Sequence, residues 1–83
     1  MIRLVYFAWV REQLGRDGED YPLPEPVQLA AILDALSERG GTYAATLHDR
    51  ARLRFAVDQT MRGLDAMVRP GNEVAIFPPV TGG

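Results

Sequence analysis

The sequence predicts an α+β domain in which one main amphipathic helix packs across a small mixed sheet. Two observations lead to this prediction. Leucine and isoleucine recur at helical spacing in one segment, and short β-branched or aromatic runs with period-two alternation lie on both sides of it. The chain has 83 residues, of which 47% are hydrophobic, and this length and composition suit one small domain with a single core.

The main helix is expected to run from Val27 to Arg39. Its apolar side chains fall at positions i, i+3, i+4 and i+7 and form one stripe, which is Leu29, Ile32, Leu33 and Leu36. Pro26 is expected in the first turn, where its missing N–H is tolerated, although no usual N-cap residue precedes it. Arg39 suits the negative end of the helix, and Gly40-Gly41 is expected to terminate it.

The remaining elements follow from alternation and from turn residues. A short helix over Ala8–Leu14 is expected to stop at Gly15, and residues 42–49 are expected to add one more helical turn. Asp58-Gln59 and Pro70-Gly71 are predicted turns, the second of type II. The expected strands are Ile2–Phe7, Glu19–Leu23, Arg52–Val57, Thr60–Arg62 and Glu73–Phe77.

Alternation also assigns side chains to the two faces of the sheet. The inward set on the helix side is Ile2, Leu4, Tyr6, Leu53, Phe55, Val57, Val74 and Ile76. The outward set is Arg3, Val5, Phe7, Arg52, Arg54, Ala56, Ala75 and Phe77.

The chain ends in Gly82-Gly83, directly after Pro78-Pro79-Val80-Thr81. Glycine has no Cβ, so the acyl carbon of Gly83 is open to attack, and Gly82 fits a channel too narrow for a side chain. The prolines favour an extended segment, which would reach roughly 20 Å at about 3.3–3.6 Å per residue. We therefore expect a domain over residues 1–77 and a tail over residues 78–83. A chance or cloning origin of the glycines is disfavoured, because a strand runs straight into the tail.

Composition restricts the classes of function. A formal net charge of −2 gives no reason to expect nucleic-acid binding, and no apolar run is long enough to span a membrane. No signal sequence is visible, so a cytoplasmic location is expected. The chain has no cysteine and no lysine, since all nine basic residues are arginine. It therefore offers no thiolate nucleophile and no side-chain amine for covalent chemistry.

Three sequence patterns together resemble a known family over the whole chain. They are Phe7-Ala8-x-x-Arg11-Glu12-x-x-Gly15, Val57-Asp58-Gln59, and Gly71-x-Glu73-Val74-Ala75-Ile76-Phe77-Pro78-Pro79-Val80-Thr81-Gly82-Gly83. They resemble the small, sulfur-carrier subunits of molybdopterin synthases, which have the ubiquitin-like β-grasp fold. One departure is Asp58, where the family often has asparagine. Because asparagine tolerates a left-handed backbone better, slight strain is expected in this turn.

The resemblance implies a carrier that has no enzymatic activity on its own. A ubiquitin-activating-type enzyme would use ATP to adenylate the Gly83 carboxylate, and a sulfur donor protein would convert it to a thiocarboxylate. The thiocarboxylate would give its sulfur to cyclic pyranopterin monophosphate in the large subunit, forming the dithiolene of molybdopterin for molybdenum cofactor biosynthesis. Two copies of each subunit would form a heterotetramer, and the carrier itself would bind no cofactor and no metal.

A partner surface is expected beside the root of the tail. Phe7, Met61 and Phe77 are placed on one outward patch, which favours a partner contact over a satellite cluster under a loop. With the residues of the matching motifs, the expected interface is Phe7, Arg11, Met61, Phe77, Pro78, Pro79, Val80 and Thr81. Arg50, Arg52 and Arg54 form a basic stripe at strand spacing, for which a solvated face is favoured over docking. The single histidine, His48, is expected to be a surface residue.

Other functions remain open from the residues alone. A sulfur carrier of another pathway, such as a thiamine-type carrier, would share the Gly-Gly end, but such carriers are usually shorter and lack the short helix with Arg11-Glu12. A ubiquitin-like modifier would join Gly83 to lysines of target proteins. A plain interaction module would not use the tail at all.

Overall fold

A sheet with helices on one side forms the fold, which a computed structural model describes over residues 1–79. The helices are α1 (Ala8–Leu14), α2 (Leu29–Ser37) and α3 (Gly41–Leu47), with a 3-10 turn over Arg50–Arg52. The strands are β1 (Ile2–Tyr6), β2 (Gly18–Tyr21), β3 (Val27–Gln28), β4 (Arg54–Val57), β5 (Thr60–Arg62), β6 (Met67–Val68) and β7 (Glu73–Phe77).

The main sheet has the strand order β2-β1-β7-β4-β5, and β3 pairs with β6 in a separate two-stranded ribbon. The first and last strands, β1 and β7, lie parallel to each other in the middle of the sheet, and the other pairs are antiparallel. Parallel neighbours end at the same edge of a sheet. Tyr6 pairs with Ile76, and the Phe7 N–H donates to the Ile76 carbonyl at 3.2 Å. The register therefore places Phe7 beside Phe77, where the tail leaves the sheet.

The core lies between one face of this sheet and the helices. The predicted helical stripe is confirmed, because all of its members are buried, and so is the inward set of β1 and β7. Burying a side chain of this size contributes about 1.5–3 kcal/mol relative to leaving it exposed. The fully buried residues on the two sides are Ile2, Leu4, Tyr6, Val74 and Ile76 from the sheet and Leu29, Ile32, Leu33 and Leu36 from α2.

The start of α2 differs from the prediction. The helix begins at Leu29 and not at Val27, because Val27 and Gln28 pair with β6 instead. Pro26 therefore precedes a strand and does not lie in the first helical turn. The first N–H groups of the helix donate to loop carbonyls, from Leu29 to Ala66 at 2.8 Å and from Ala30 to Leu64 at 2.9 Å. These bonds explain why no capping side chain is needed at this helix end.

The end of α2 also differs. The helix ends at Ser37, and Arg39 lies beyond it with its guanidinium group bonded to Glu19. Gly40 and Gly41 both have positive φ, at 74° and 54°, and they turn the chain into α3. This third helix continues to Leu47, which is fully buried, so it is longer than the single turn expected there.

The predicted strand over Arg52–Val57 is shorter in the structure and begins at Arg54. Arg50 and Arg52 lie in the 3-10 turn, so the proposed basic stripe at strand spacing is wrong. Arg50 is instead paired with Asp34 of α2, with 2.6 Å between its Nη2 atom and the carboxylate. Ala56, expected on the outward face, has that orientation but is only 8% exposed because the neighbouring strands cover it.

The predicted turns are confirmed. Gly71 has a φ of 93° and the Asn72 N–H donates to the Arg69 carbonyl at 3.1 Å, which fits the type II turn. Asp58 has a φ of 49° in the turn between β4 and β5. Its carboxylate accepts hydrogen bonds from the Glu73 N–H at 2.8 Å and the Asn72 amide at 2.7 Å. These two bonds tie the turn to β7 and offset the expected backbone strain.

Candidate functional site

The sheet face opposite α2 carries a row of small and apolar side chains, and we call this side the open face. Across β1, β7, β4 and β5 this row consists of Val5, Ala75, Ala56 and Met61. The next row, toward the tail, contains Phe7 and Phe77, and Arg54 pairs with Phe77. Large exposed hydrophobic side chains in one area are typical of interaction sites. Phe7 and Met61 are such side chains, at 47% and 59% exposure.

An apolar groove lies where the tail leaves the sheet, and we call it the tail-root groove. It has a volume of about 410 Å³ and is lined by Phe7, Ala8, Phe77, Pro78 and Pro79. Two aromatic rings and two prolines give it rigid walls, so an incoming apolar group would bury area with little loss of side-chain entropy. No titratable side chain contributes to this lining among residues 1–79. The groove is therefore suited to holding an apolar group, and the part of its lining that belongs to residues 1–79 supplies no acid or base.

Ala8 marks the junction between β1 and α1 and has a φ of 52°. A left-handed backbone in a residue with a Cβ costs of order 1–3 kcal/mol and is concentrated at functional sites. The positive φ changes the direction of the chain at Ala8, so that α1 begins directly after Phe7, the last residue before the helix. The sequence pattern contained Ala8, but only the structure shows that it lines the groove.

The structure places the expected interface residues in different ways. Phe7, Phe77, Pro78 and Pro79 meet in the tail-root groove. Met61 lies in the neighbouring row of the open face and outside the groove. Arg11 is exposed on α1, one turn after Ala8. Val80, Thr81, Gly82 and Gly83 lie outside the described residues.

A polar cluster that the sequence did not predict lies on the helix side of the sheet, around Glu19. The Glu19 carboxylate accepts hydrogen bonds from the Tyr6 hydroxyl at 2.8 Å, the Tyr43 hydroxyl at 2.6 Å and Arg39 at 2.7 Å. Arg16 adds an ion pair at 3.4 Å. The cluster joins the edge strand β2 to β1 and α3, so its role is to hold the helical layer on the sheet.

The electrostatics of this cluster favour an ionised carboxylate among neutral phenols. Burial works against the charge of Glu19, but the hydrogen bonds from Tyr43, Arg39 and Tyr6 outweigh it and lower the pKa of the carboxyl group. Burial, followed by the bond to Glu19, raises the pKa of the Tyr6 and Tyr43 hydroxyls. Both phenols therefore remain protonated donors.

Replacing Glu19 by glutamine is expected to reduce the free energy of unfolding by about 2 kcal/mol, because charge-assisted bonds at an 11% exposed side chain are lost. The Glu19 pKa is lower in the folded state. The stabilisation that Glu19 provides is thus complete above its pKa in the unfolded chain, about 4.3. It is lost as the pH falls through the lower pKa of the folded state. Urea unfolding between neutral and acidic pH measures this loss.

Glu25→Gln is the control for that experiment, since Glu25 is exposed in the loop between β2 and β3. This variant should follow the wild-type pH curve. If Glu19→Gln also lost stability in parallel with wild type as the pH fell, the cluster would not contribute as described.

Two other kinds of feature are absent from the part of the chain that the structure describes. Residues 1–79 contain no group of three or more His, Asp or Glu side chains that could hold a metal ion. None of the helices there has the length and apolarity to cross a membrane.

The sequence is similar along its full length to proteins named as molybdopterin synthase sulfur carrier subunits. It is 37% identical over 83 residues to the molybdopterin synthase sulfur carrier subunit of Escherichia coli (strain K12), with both chains covered completely. It is 34% identical over 87 residues to the protein of the same name from Haemophilus influenzae, again with complete coverage of both. The resemblance drawn from the sequence motifs is confirmed by these relatives.

The fold is shared with solved structures. One neighbour is a putative molybdopterin converting factor, subunit 1, from Pyrococcus furiosus, with a TM-score of 0.78 and 24% identity, covering 95% of this chain and 97% of that chain. At this identity the likeness concerns the fold alone, and it confirms the predicted β-grasp architecture. A family model described as the ThiS family matches residues 4–83. The chain, with its groove at the root of a Gly-Gly tail, belongs to the ThiS family.

Proposed function

We propose that this chain is the sulfur-carrier subunit of a molybdopterin synthase and that the carboxyl group of Gly83 carries the sulfur. The observation that supports this most directly is the full-length identity of 34–37% to two sulfur-carrier subunits. The parallel pairing of β1 with β7 adds a physical reason, because it puts an apolar groove at the point where the Gly-Gly tail begins.

The chemistry takes place in partner proteins in this proposal. An activating enzyme joins the Gly83 carboxylate to AMP from ATP and releases pyrophosphate. A sulfur donor then supplies a hydrosulfide equivalent, which attacks the acyl carbon and displaces AMP to leave a thiocarboxylate. Glycine suits this step because no side chain hinders the carbon under attack. The thiocarboxylate sulfur attacks a side-chain carbon of the cyclic pyranopterin and displaces the oxygen substituent of that carbon. Water then cleaves the acyl–sulfur bond, which leaves the sulfur on the pterin and returns the Gly83 carboxylate.

The carrier contributes position and binding in this scheme. The tail-root groove has no titratable lining among the described residues, so the general acids and bases come from the partners. The groove and the open face dock the large subunit, and this contact sets where the tail can reach. Holding reacting groups in place can lower a barrier by about 7–11 kcal/mol, which explains how a chain without its own catalytic side chains can serve an enzyme.

Mass spectrometry of a single reaction cycle tests the proposal. Purified protein is incubated with activating enzyme, ATP and sulfide so that the thiocarboxylate forms. Its intact mass should rise by the exchange of one oxygen for sulfur. The loaded protein is then mixed with the large subunit and the cyclic pyranopterin. We expect dithiolene product, with one carrier returned as free carboxylate for each sulfur transferred.

The competing functions give different outcomes in the same experiment. An isopeptide adduct between Gly83 and lysines of other proteins, with no sulfur in the pterin, would identify a modifier. A thiocarboxylate that forms but does not react with the large subunit and pterin would identify a carrier of another pathway. Either outcome would contradict the proposed role.

A further inference from the structure

Three arginines lie around the tail-root groove, and we call them the arginine collar: Arg11, Arg52 and Arg54. Arg54 pairs directly with Phe77 across β4 and β7. The guanidinium group of Arg52 lies over the ring of Trp9, 5.1 Å from its centre, and Trp9 follows the groove residue Ala8. Arg11 is one helical turn after Ala8 on α1. Arg54 is therefore paired with a groove residue, while Arg11 and Arg52 are linked to the groove through the start of α1, which contains Ala8 and Trp9.

The structure fixes two of these guanidinium groups without neutralising them. Arg54 donates from Nη1 to the Leu53 carbonyl at 2.8 Å and to the Ala51 carbonyl at 3.2 Å, which orients the group but leaves its charge. Arg52 is held against Trp9 by a cation–π contact. Arg11 is followed by Glu12, but adjacent helical residues do not face each other.

The collar differs from most of the other arginines of the chain. Within residues 1–79, no collar arginine forms an ion pair with a carboxylate, whereas the paired arginines are Arg3, Arg16, Arg39 and Arg50. The whole chain has a net charge of −2, so the positive charge at the tail root is local. A local charge of one sign around an apolar site steers a complementary partner and adds little general attraction to polyanions.

We propose that the arginine collar binds a rim of Asp and Glu side chains on the large synthase subunit, around an apolar group that enters the tail-root groove. This inference rests on the proposed function and adds the chemistry of the partner surface. Arginine suits such a rim because its planar group binds carboxylates with two parallel hydrogen bonds. The carboxylates also orient the two proteins before the apolar contact forms.

Association kinetics with the large subunit test this proposal. In Arg11→Gln/Arg54→Gln two collar charges are lost while the side chains stay long and polar. The matched control is Arg62→Gln/Arg69→Gln, which changes the net charge equally at a separate polar groove that contains Asp58 and Asn72. We expect the collar variant to associate about tenfold more slowly than the control at low salt. The difference should disappear between about 0.01 M and 1 M salt, as the screening length falls from about 30 Å to 3 Å.

A charge-preserving variant separates charge from packing. Arg11→Lys/Arg54→Lys should recover most of the association rate at low salt, and circular dichroism checks that all variants are folded. Equal rates and equal salt dependence for the collar and control variants would overturn the inference, as would tight binding of nucleic acid through the collar in place of the large subunit. Failure of the wild-type chain to bind the large subunit at all would overturn the proposed function as well.

Discussion

Deletion of Gly83 is expected to abolish ATP-dependent adenylation and sulfur transfer. The truncated chain still ends in a glycine carboxylate, but that group falls short of its former position by about 3.3–3.6 Å. A misplacement of about 1 Å can reduce a rate 100-fold, so a loss of at least that size is expected. Pyrophosphate release by the activating enzyme measures adenylation, and intact mass measures thiocarboxylate formation.

Gly83→Ala is the matched variant, because it keeps the length and the carboxylate but adds a methyl group next to the reacting carbon. Its activity should lie between those of the wild type and the deletion. Both variants should fold normally, since the core residues lie between Ile2 and Ile76. Normal sulfur transfer by a folded chain without Gly83 would contradict the carrier proposal.

Much of the fold could be predicted because its signals are local. The leucine stripe of α2, the alternation in β1 and β7, and the glycine turn at Gly71 each follow from a few adjacent residues. The errors arise where distant segments meet. Pairing of Val27–Gln28 with Met67–Val68 shifts the start of α2. No local pattern reveals this partner, because it lies about forty residues away along the chain.

The site could be predicted in part for the same reason. Alternation and the position of the tail are enough to put Phe7 and Phe77 on one face, and the parallel pairing of β1 with β7 then brings them together. The arginine collar was not predicted, since Arg52 joins it through a 3-10 turn that the sequence pattern presents as strand. The Glu19 cluster was missed because Tyr6, Arg39 and Tyr43 come from three separate segments.

Replacement of Phe77 by alanine is expected to weaken binding of the large subunit by about 2 kcal/mol or more, which is roughly a 30-fold rise in Kd. Phe77 forms a wall of the tail-root groove and stands beside Phe7 at the end of the sheet. Aromatic side chains in the centre of an interface, in contact with a pocket, usually provide the largest share of the binding energy. Titration calorimetry measures the change, after circular dichroism has shown that the variant is folded.

The two exposed methionines provide a matched comparison for this surface. Met61 is on the open face and 59% exposed, whereas Met67 is on the β3–β6 ribbon and 47% exposed. Met61→Ala should weaken binding by less than Phe77→Ala, because Met61 lies outside the groove. Met67→Ala removes similar apolar surface in another place and should leave Kd unchanged.

If Phe77→Ala bound as tightly as Met67→Ala, the large subunit would have to dock elsewhere, and the groove would lose its assigned role. If only Phe77→Ala and Met61→Ala weakened binding, the interface would be located on the open face. The tail would then enter the large subunit from the edge of the sheet where Phe77 lies.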